Sequence, residues 1–185
     1  MLAGGICQIT STLYNAALYA DLEIVERRNH MFVTSYAGPG RDATVMYGSI
    51  DFRFRNSRNF PIMIRSSVHN GIHRVEILGL REAREFEIII STIILNHTPW
   101  RTIYEYNHYL AEGITNVLQG GGNGTNSITY RIRRINGAEV SREVLSRDVY
   151  VPMNRIVEVG AARVHTPPAY YPPDEGYNED AGGYY

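Results

Sequence analysis

Cys7 is the only cysteine in the chain, so any chemistry done by sulfur must use that one thiol. It follows Gly4 and Gly5 and stands at the predicted first turn of a helix. Unpaired backbone N–H groups and the positive end of the helix dipole both favour a thiolate at such a place. The same amides could hold an oxyanion once the sulfur attacks a carbonyl, and two glycines let a substrate backbone come close. The plainer alternative is a small buried hydrophobe, and residue type alone leaves both readings open.

A cysteine nucleophile wants a base. Of the six histidines, His69 sits in a turn, His165 in the C-terminal tail, and His73 within an alternating strand. His97 and His108 belong to the second half of the chain. His30 is the best placed, because it follows the helix and Glu26-Arg27-Arg28 and precedes an extended stretch. A surface histidine in a loop is the ordinary alternative. Asp42 is the first choice for a carboxylate that orients the imidazole, with Asp51 second. One cysteine with scattered His and acids lacks a recognised zinc-ligand spacing, so neither a metal nor a cofactor is expected.

The elements that must carry these residues fall into three stretches. Gln8 to Ala20 reads as helix, since Ile9, Leu13, Ala16 and Ala17 recur at helical spacing. Ala43–Tyr47, Ile50–Arg55, Pro61–Arg65 and Ile72–Leu78 then read as extended, with Asn70-Gly71 turning the last two into a hairpin. From about residue 84 to 160 every pattern is strand and turn. Glu87–Leu95 is rich in isoleucine, and Ser127–Ile135 alternates. Asn136-Gly137 folds the chain back into Val140–Tyr150. Glycines 120–122 could cradle a phosphate, but no helical pattern follows them, which favours turns. Residues 161 to 185 interleave proline, tyrosine and acids and should be disordered or polyproline-like. The predicted class is therefore α+β. A short N-terminal helix with a small antiparallel sheet spans 1–83, an all-β module spans 84–160, and the tail spans 161–185.

Composition narrows the functions available. The chain has 185 residues, 44% hydrophobic and 20% charged, as in a globular protein. Its 18 basic residues against 19 acidic ones leave a net charge of −1, which argues against a duplex-binding surface. No lysine occurs, which excludes a P-loop lysine, a Schiff base and a Ser–Lys dyad. Arg131, Arg133 and Arg134 are the densest basic patch, and strand alternation explains them. No apolar run approaches the roughly 20 residues of a membrane helix.

Gly4-Gly5-Ile6-Cys7-Gln8-Ile9-Thr10-Ser11-Thr12-Leu13-Tyr14-Asn15-Ala16 closely resembles the signature of the VanW family, named for an accessory protein of vancomycin-resistance clusters. The resemblance continues through Leu22 to Arg27, His30, Ser35-Tyr36, Gly40 to Val45, Tyr47-Gly48 and Asp51 to Phe54, covering about the first 80 residues. Tyr130-Arg131, Asn136-Gly137, Glu139 to Glu143 and Pro152 through Gly160 resemble a G-five domain, a small all-β module of cell-wall proteins.

The VanW resemblance implies an extracytoplasmic protein, bacterial, that acts on or binds peptidoglycan, with stem peptide or glycan as partner and no nucleic acid. Some members of the family are linked to L,D-transpeptidation, which crosslinks stem peptides through a cysteine acyl-enzyme. Carried onto this chain, the resemblance makes Cys7 the nucleophile, His30 its base and Asp42 the orienting acid. Gly4, Gly5, Gln8, Tyr36, Arg41 and Tyr47 would then contact substrate. Family members carry domain sequence upstream of the signature, whereas Met1-Leu2-Ala3 alone precede it here. The expectation is thus a truncated chain with an incomplete, inactive site and an anchor in the missing segment. The alternative is a non-catalytic wall-binding module, in which Trp100, Tyr104, Tyr106 and Tyr109 stack on sugar rings. A third reading makes the all-β module a spacer that holds the first domain away from the membrane.

Overall fold

The computed structural model describes residues 5–82 and 86–160. The expected disordered tail at 161–185 and Gly4 lie outside the described residues. Helix α1 spans Ile6–Tyr19, two residues earlier than the apolar spacing suggests, so Cys7 lies inside its first turn. Gly5 caps it with φ 94°, a left-handed conformation that costs glycine nothing. The far end closes as Asp21 takes φ 54° and the Leu22 N–H donates to Ala17 O at 3.0 Å.

Ten strands follow. β1 (Glu23–Glu26) pairs antiparallel with β2 (Arg53–Arg55), placing Ile24 opposite Phe54. β3 (Met63–His69) and β4 (Ile72–Leu78) form the expected hairpin, with Asn70 and Gly71 both at positive φ. β5 (Glu87–Thr98), β8 (Gly124–Ile135) and β9 (Ala138–Tyr150) make a long antiparallel sheet with β8 central. β10 (Arg155–Gly160) lies between β6 (Thr102–Asn107), which it meets in parallel, and β7 (Thr115–Gln119), which it meets antiparallel.

Two expected strands change. Ala43–Tyr47 is irregular, because its backbone donors go elsewhere: Ala43 N–H to Ser11 Oγ, Thr44 N–H to Arg28 O and Met46 N–H to Ile50 O. Ile50–Arg55 shrinks to the three residues of β2 for the same reason, since residues 46–50 close a turn.

One face of α1 supplies the core. Tyr14, Ala17 and Leu18 are buried with Leu22 and Ala43. Ile24, Phe52, Ile90 of β5 and Leu145 of β9 pack around Tyr14, Leu18 and Ala43. The helix-bearing stretch and the long sheet therefore share this core. Fully burying one such apolar side chain stabilises by about 1.5–3 kcal/mol. Charge ties the same elements together. Arg131 and Arg133, successive residues on one face of β8, both pair with Asp21 at the helix end and with Glu143 of β9. Arg131 also donates to Leu22 O at 2.8 Å. Two of the three arginines in the densest basic patch of the sequence are thus consumed internally.

Candidate functional site

Asp42 is the hub. Its carboxylate is 1% exposed, and such a charge is tolerable only when fully partnered. Oδ1 accepts from Arg27 Nη2 at 2.8 Å and from Tyr150 Oη at 2.5 Å. Oδ2 accepts from the His30 backbone N–H at 2.7 Å and lies 2.6 Å from His30 Nδ1. Four contacts on two oxygens fix both the carboxylate plane and the imidazole ring. With Nδ1 facing a carboxylate, Nε2 points away from it, where the Tyr36 hydroxyl lies at 3.2 Å. Burial raises the Tyr36 pKa, and negative charge on Cys7 raises it further, so that hydroxyl keeps its proton at neutral pH.

Arg27 stands behind the hub. Its guanidinium bonds to Asp42 through Nε to the backbone oxygen at 2.6 Å, pairs with Asp148 of β9, and stacks over the Tyr14 ring at 5.3 Å. Burial opposes its charge, but Tyr14, Asp148 and Asp42 outweigh this and raise its pKa. Burial likewise raises the pKa of Tyr150, and its hydrogen bond to Asp42 adds to that, keeping Tyr150 a donor.

Cys7 is half-buried, and its Sγ donates to Val45 O at 3.5 Å. The first intrahelical bond runs from Ile9 N–H to Gly5 O, and no side chain caps the helix. The amides of Ile6, Cys7 and Gln8 therefore precede the helical ladder, at its positive end. Negative charge on Cys7 acts on the Tyr36 hydroxyl. Among the described residues no hydrogen bond joins Cys7 to His30, and Tyr36 takes the Nε2 position instead.

The other sequence-predicted residues scatter around this centre. Gly5 and Gln8 are exposed at the helix start. Tyr36 is central, as described. Arg41 is turned to α1, where it pairs with Asn15 Oδ1 and reaches Tyr19 Oη at 3.0 Å. Tyr47 stands fully in solvent within the 46–50 turn. Asp51, the second choice to orient His30, instead bonds the Phe52 amide and Arg53, and Asp42 holds that place. Arg27, Asp148 and Tyr150 were missed by sequence reasoning. Arg27 carried a weak signal, an arginine three residues before the chosen histidine.

Residues 1–78 match the family model described as VanW like protein, and residues 94–162 match that of the G5 domain, in that order. A stretch of 70 residues is 51% identical to the uncharacterized protein YoaR of Bacillus subtilis (strain 168). That stretch is 38% of this chain and 23% of the relative, so the chain spans less than a quarter of that protein. Among solved structures, the G5 domain of an IgA1 protease is 31% identical, covering 43% of this chain and 95% of its own, at a TM-score of 0.28. The HP0197 G5 domain is 25% identical, covering 42% and 100%, at a TM-score of 0.24.

Proposed function

We propose that this chain, in which a stretch matching VanW like protein is followed by one matching the G5 domain, is a cell-wall-associated cysteine acyltransferase of L,D-transpeptidase type, acting on peptidoglycan stem peptides outside the cytoplasm. The observation that carries the reading is the imidazole of His30. It is held through Nδ1 by a buried, fully partnered carboxylate and presents Nε2 toward the Tyr36 hydroxyl, on which charge at Cys7 acts.

In the reaction, the Cys7 sulfur attacks a stem-peptide carbonyl after giving its proton to the Tyr36 hydroxyl, which passes its own to His30 Nε2. The carbonyl oxygen becomes an oxyanion facing the free amides of the helix start. The C–N bond breaks, and the departing amine takes the proton back from the imidazolium. An amine of a second stem then attacks the thioester, gives its proton to His30, forms the new amide and releases the thiolate. Tyr36, beside Nε2, contacts both the proton path and the incoming chain. Among the described residues no helix is long and apolar enough to cross a membrane.

The test is the rate of Cys7 alkylation at pH 7, with and without His30→Ala, followed by mass spectrometry after incubation with a stem tetrapeptide. A rate that drops at least tenfold on losing His30, with an acyl adduct on Cys7, supports the enzyme. Equal rates and no adduct would remove it.

A second reading rests on β6. Tyr104 and Tyr106 are 63% and 76% exposed and, two residues apart, project from the same face about 7 Å apart. Tyr109 beyond the strand is fully exposed, whereas the Trp100 ring is laid over Gly121. Such a tyrosine pair could stack on glycan rings in a wall-binding module. Pull-down on purified sacculi distinguishes it: Tyr104→Ala with Tyr106→Ala abolishes retention in this reading and leaves it intact if only the stem peptide is engaged.

A further inference from the structure

The end of β9 belongs to the stretch that matches the G5 domain, yet it reaches into the centre built by the VanW-like stretch. Three successive residues make the connection. The Val149 carbonyl accepts from Asn29 Nδ2 at 2.9 Å, Tyr150 Oη donates to Asp42 Oδ1, and the Val151 N–H donates to Met31 O at 2.9 Å. Asn29 and Met31 flank His30, so the loop carrying the imidazole is fastened on both sides to this one segment. Tyr150 is 2% exposed, and the same hydroxyl accepts from the Gly40 N–H at 2.8 Å, fixing the loop that carries Asp42 as well.

We propose that Tyr150 is a positioning residue for the His30–Asp42 pair, so that the thiol centre is a composite of both family segments. The G5 stretch is then part of the site's framework rather than only a binding or spacing module. This rests on the reading of Cys7 and His30 given above. The logic is geometric. Asp42 Oδ1 has two donors, Arg27 and Tyr150, that hold the carboxylate from opposite partners. Removing the hydroxyl takes one of the two donors from Oδ1, leaving Arg27 and the His30 N–H to hold the carboxylate, and loosens the angle at which Oδ2 meets Nδ1. The charged and titratable groups around this pair are Arg27 and, through it, Asp148, with Tyr14, Arg41, Tyr36 and Cys7.

The test uses the 185-residue chain with Tyr150→Phe, and with Val140→Thr at an exposed position of β9 as control. Two readouts are taken: the 15N signals of the His30 imidazole, and Cys7 alkylation at pH 7. In the unaltered chain the signals are expected to show a proton on Nδ1, the nitrogen facing Asp42. In Tyr150→Phe that preference is expected to weaken, and alkylation to fall by roughly tenfold, as for the loss of one hydrogen bond to a charged group. Val140→Thr changes neither. Unchanged imidazole signals in a folded Tyr150→Phe chain overturn the proposal. If Tyr150→Phe does not fold, Asn29→Ala must shift the same imidazole signals, or the proposal falls. The two failures are separable. Alkylation indifferent to His30→Ala sinks the nucleophile reading, while the imidazole signals still decide whether Tyr150 positions His30.

Discussion

Replacing Arg27 by methionine exposes what holds the centre together. The guanidinium is 5% exposed and lies between the carboxylates of Asp42 and Asp148, themselves 1% and 5% exposed. Methionine matches the length of the aliphatic stem but leaves two buried acids facing each other with no cation between them. Breaking a buried pair by removing one partner costs about 3–5 kcal/mol. That is a large part of the roughly 5–15 kcal/mol by which domains are stable. For a chain of this size each kcal/mol moves the midpoint by about 2–4 °C, so the expected drop is about 6–20 °C. Urea and thermal unfolding followed by far-UV circular dichroism would read it. The explanation requires more than a loss. In the triple variant Arg27→Met, Asp42→Asn, Asp148→Asn the stranded charges are gone, and much of the stability returns. A single variant within about 1 kcal/mol of the unaltered chain, or a triple variant worse than the single, would refute this account of the buried network.

Glu143 gives a pH dependence of known sign. Burial works against its charge, but hydrogen bonds from Arg131 and Arg133 outweigh it and hold its carboxyl below the ordinary 4.5. Its contribution is full above pH 4.5 and lost as pH falls through the lower folded value. The stability gap between the unaltered chain and Glu143→Gln should therefore be flat from pH 7 to 5 and narrow toward pH 3; a gap that widens in acid contradicts the assignment. Gly40→Ala tests the approach of the Asp42 loop to the long sheet. Its φ is +77°, and an added Cβ would lie 1.8 Å from Thr129 Oγ1 of β8. Strain and overlap together should cost about 2–4 kcal/mol, partly relieved by Thr129→Ala, as measured by urea midpoints. An unshifted midpoint would mean that the loop does not rest on β8.

What could be read from residues alone follows the range of the interactions. α1 was legible because Leu13, Ala16 and Ala17 recur within two turns, and both Asn-Gly hairpins because the turn chemistry is local. The Ala43–Tyr47 stretch misled because its residue types suit a strand, while its amides are taken by Ser11, Arg28 and Ile50. The parallel meeting of β6 with β10 leaves no local trace, since the two strands are separated by the whole β8–β9 hairpin. The choice of His30 and Asp42 placed two residues that do meet, twelve apart in sequence. Tyr150 and Asp148 stayed hidden because, within β9, they read as ordinary alternation along a strand. Arg41 carried a substrate-contact expectation, and the structure engages it with Asn15 and Tyr19.

The separation between Asp42 and its last partner also sets a schedule. Tyr150 lies 108 residues after Asp42, and Asp148 lies 121 after Arg27. A growing chain emerges from the ribosome at about 5–20 residues per second, N-terminal part first. For several seconds after α1, His30 and Asp42 have emerged, the buried acid has neither its tyrosine nor the arginine's second counterion. The helix and its thiol thus exist well before the framework around them can close. The centre matures only when the β8–β9 hairpin has been made and has folded back onto the Asp42 loop.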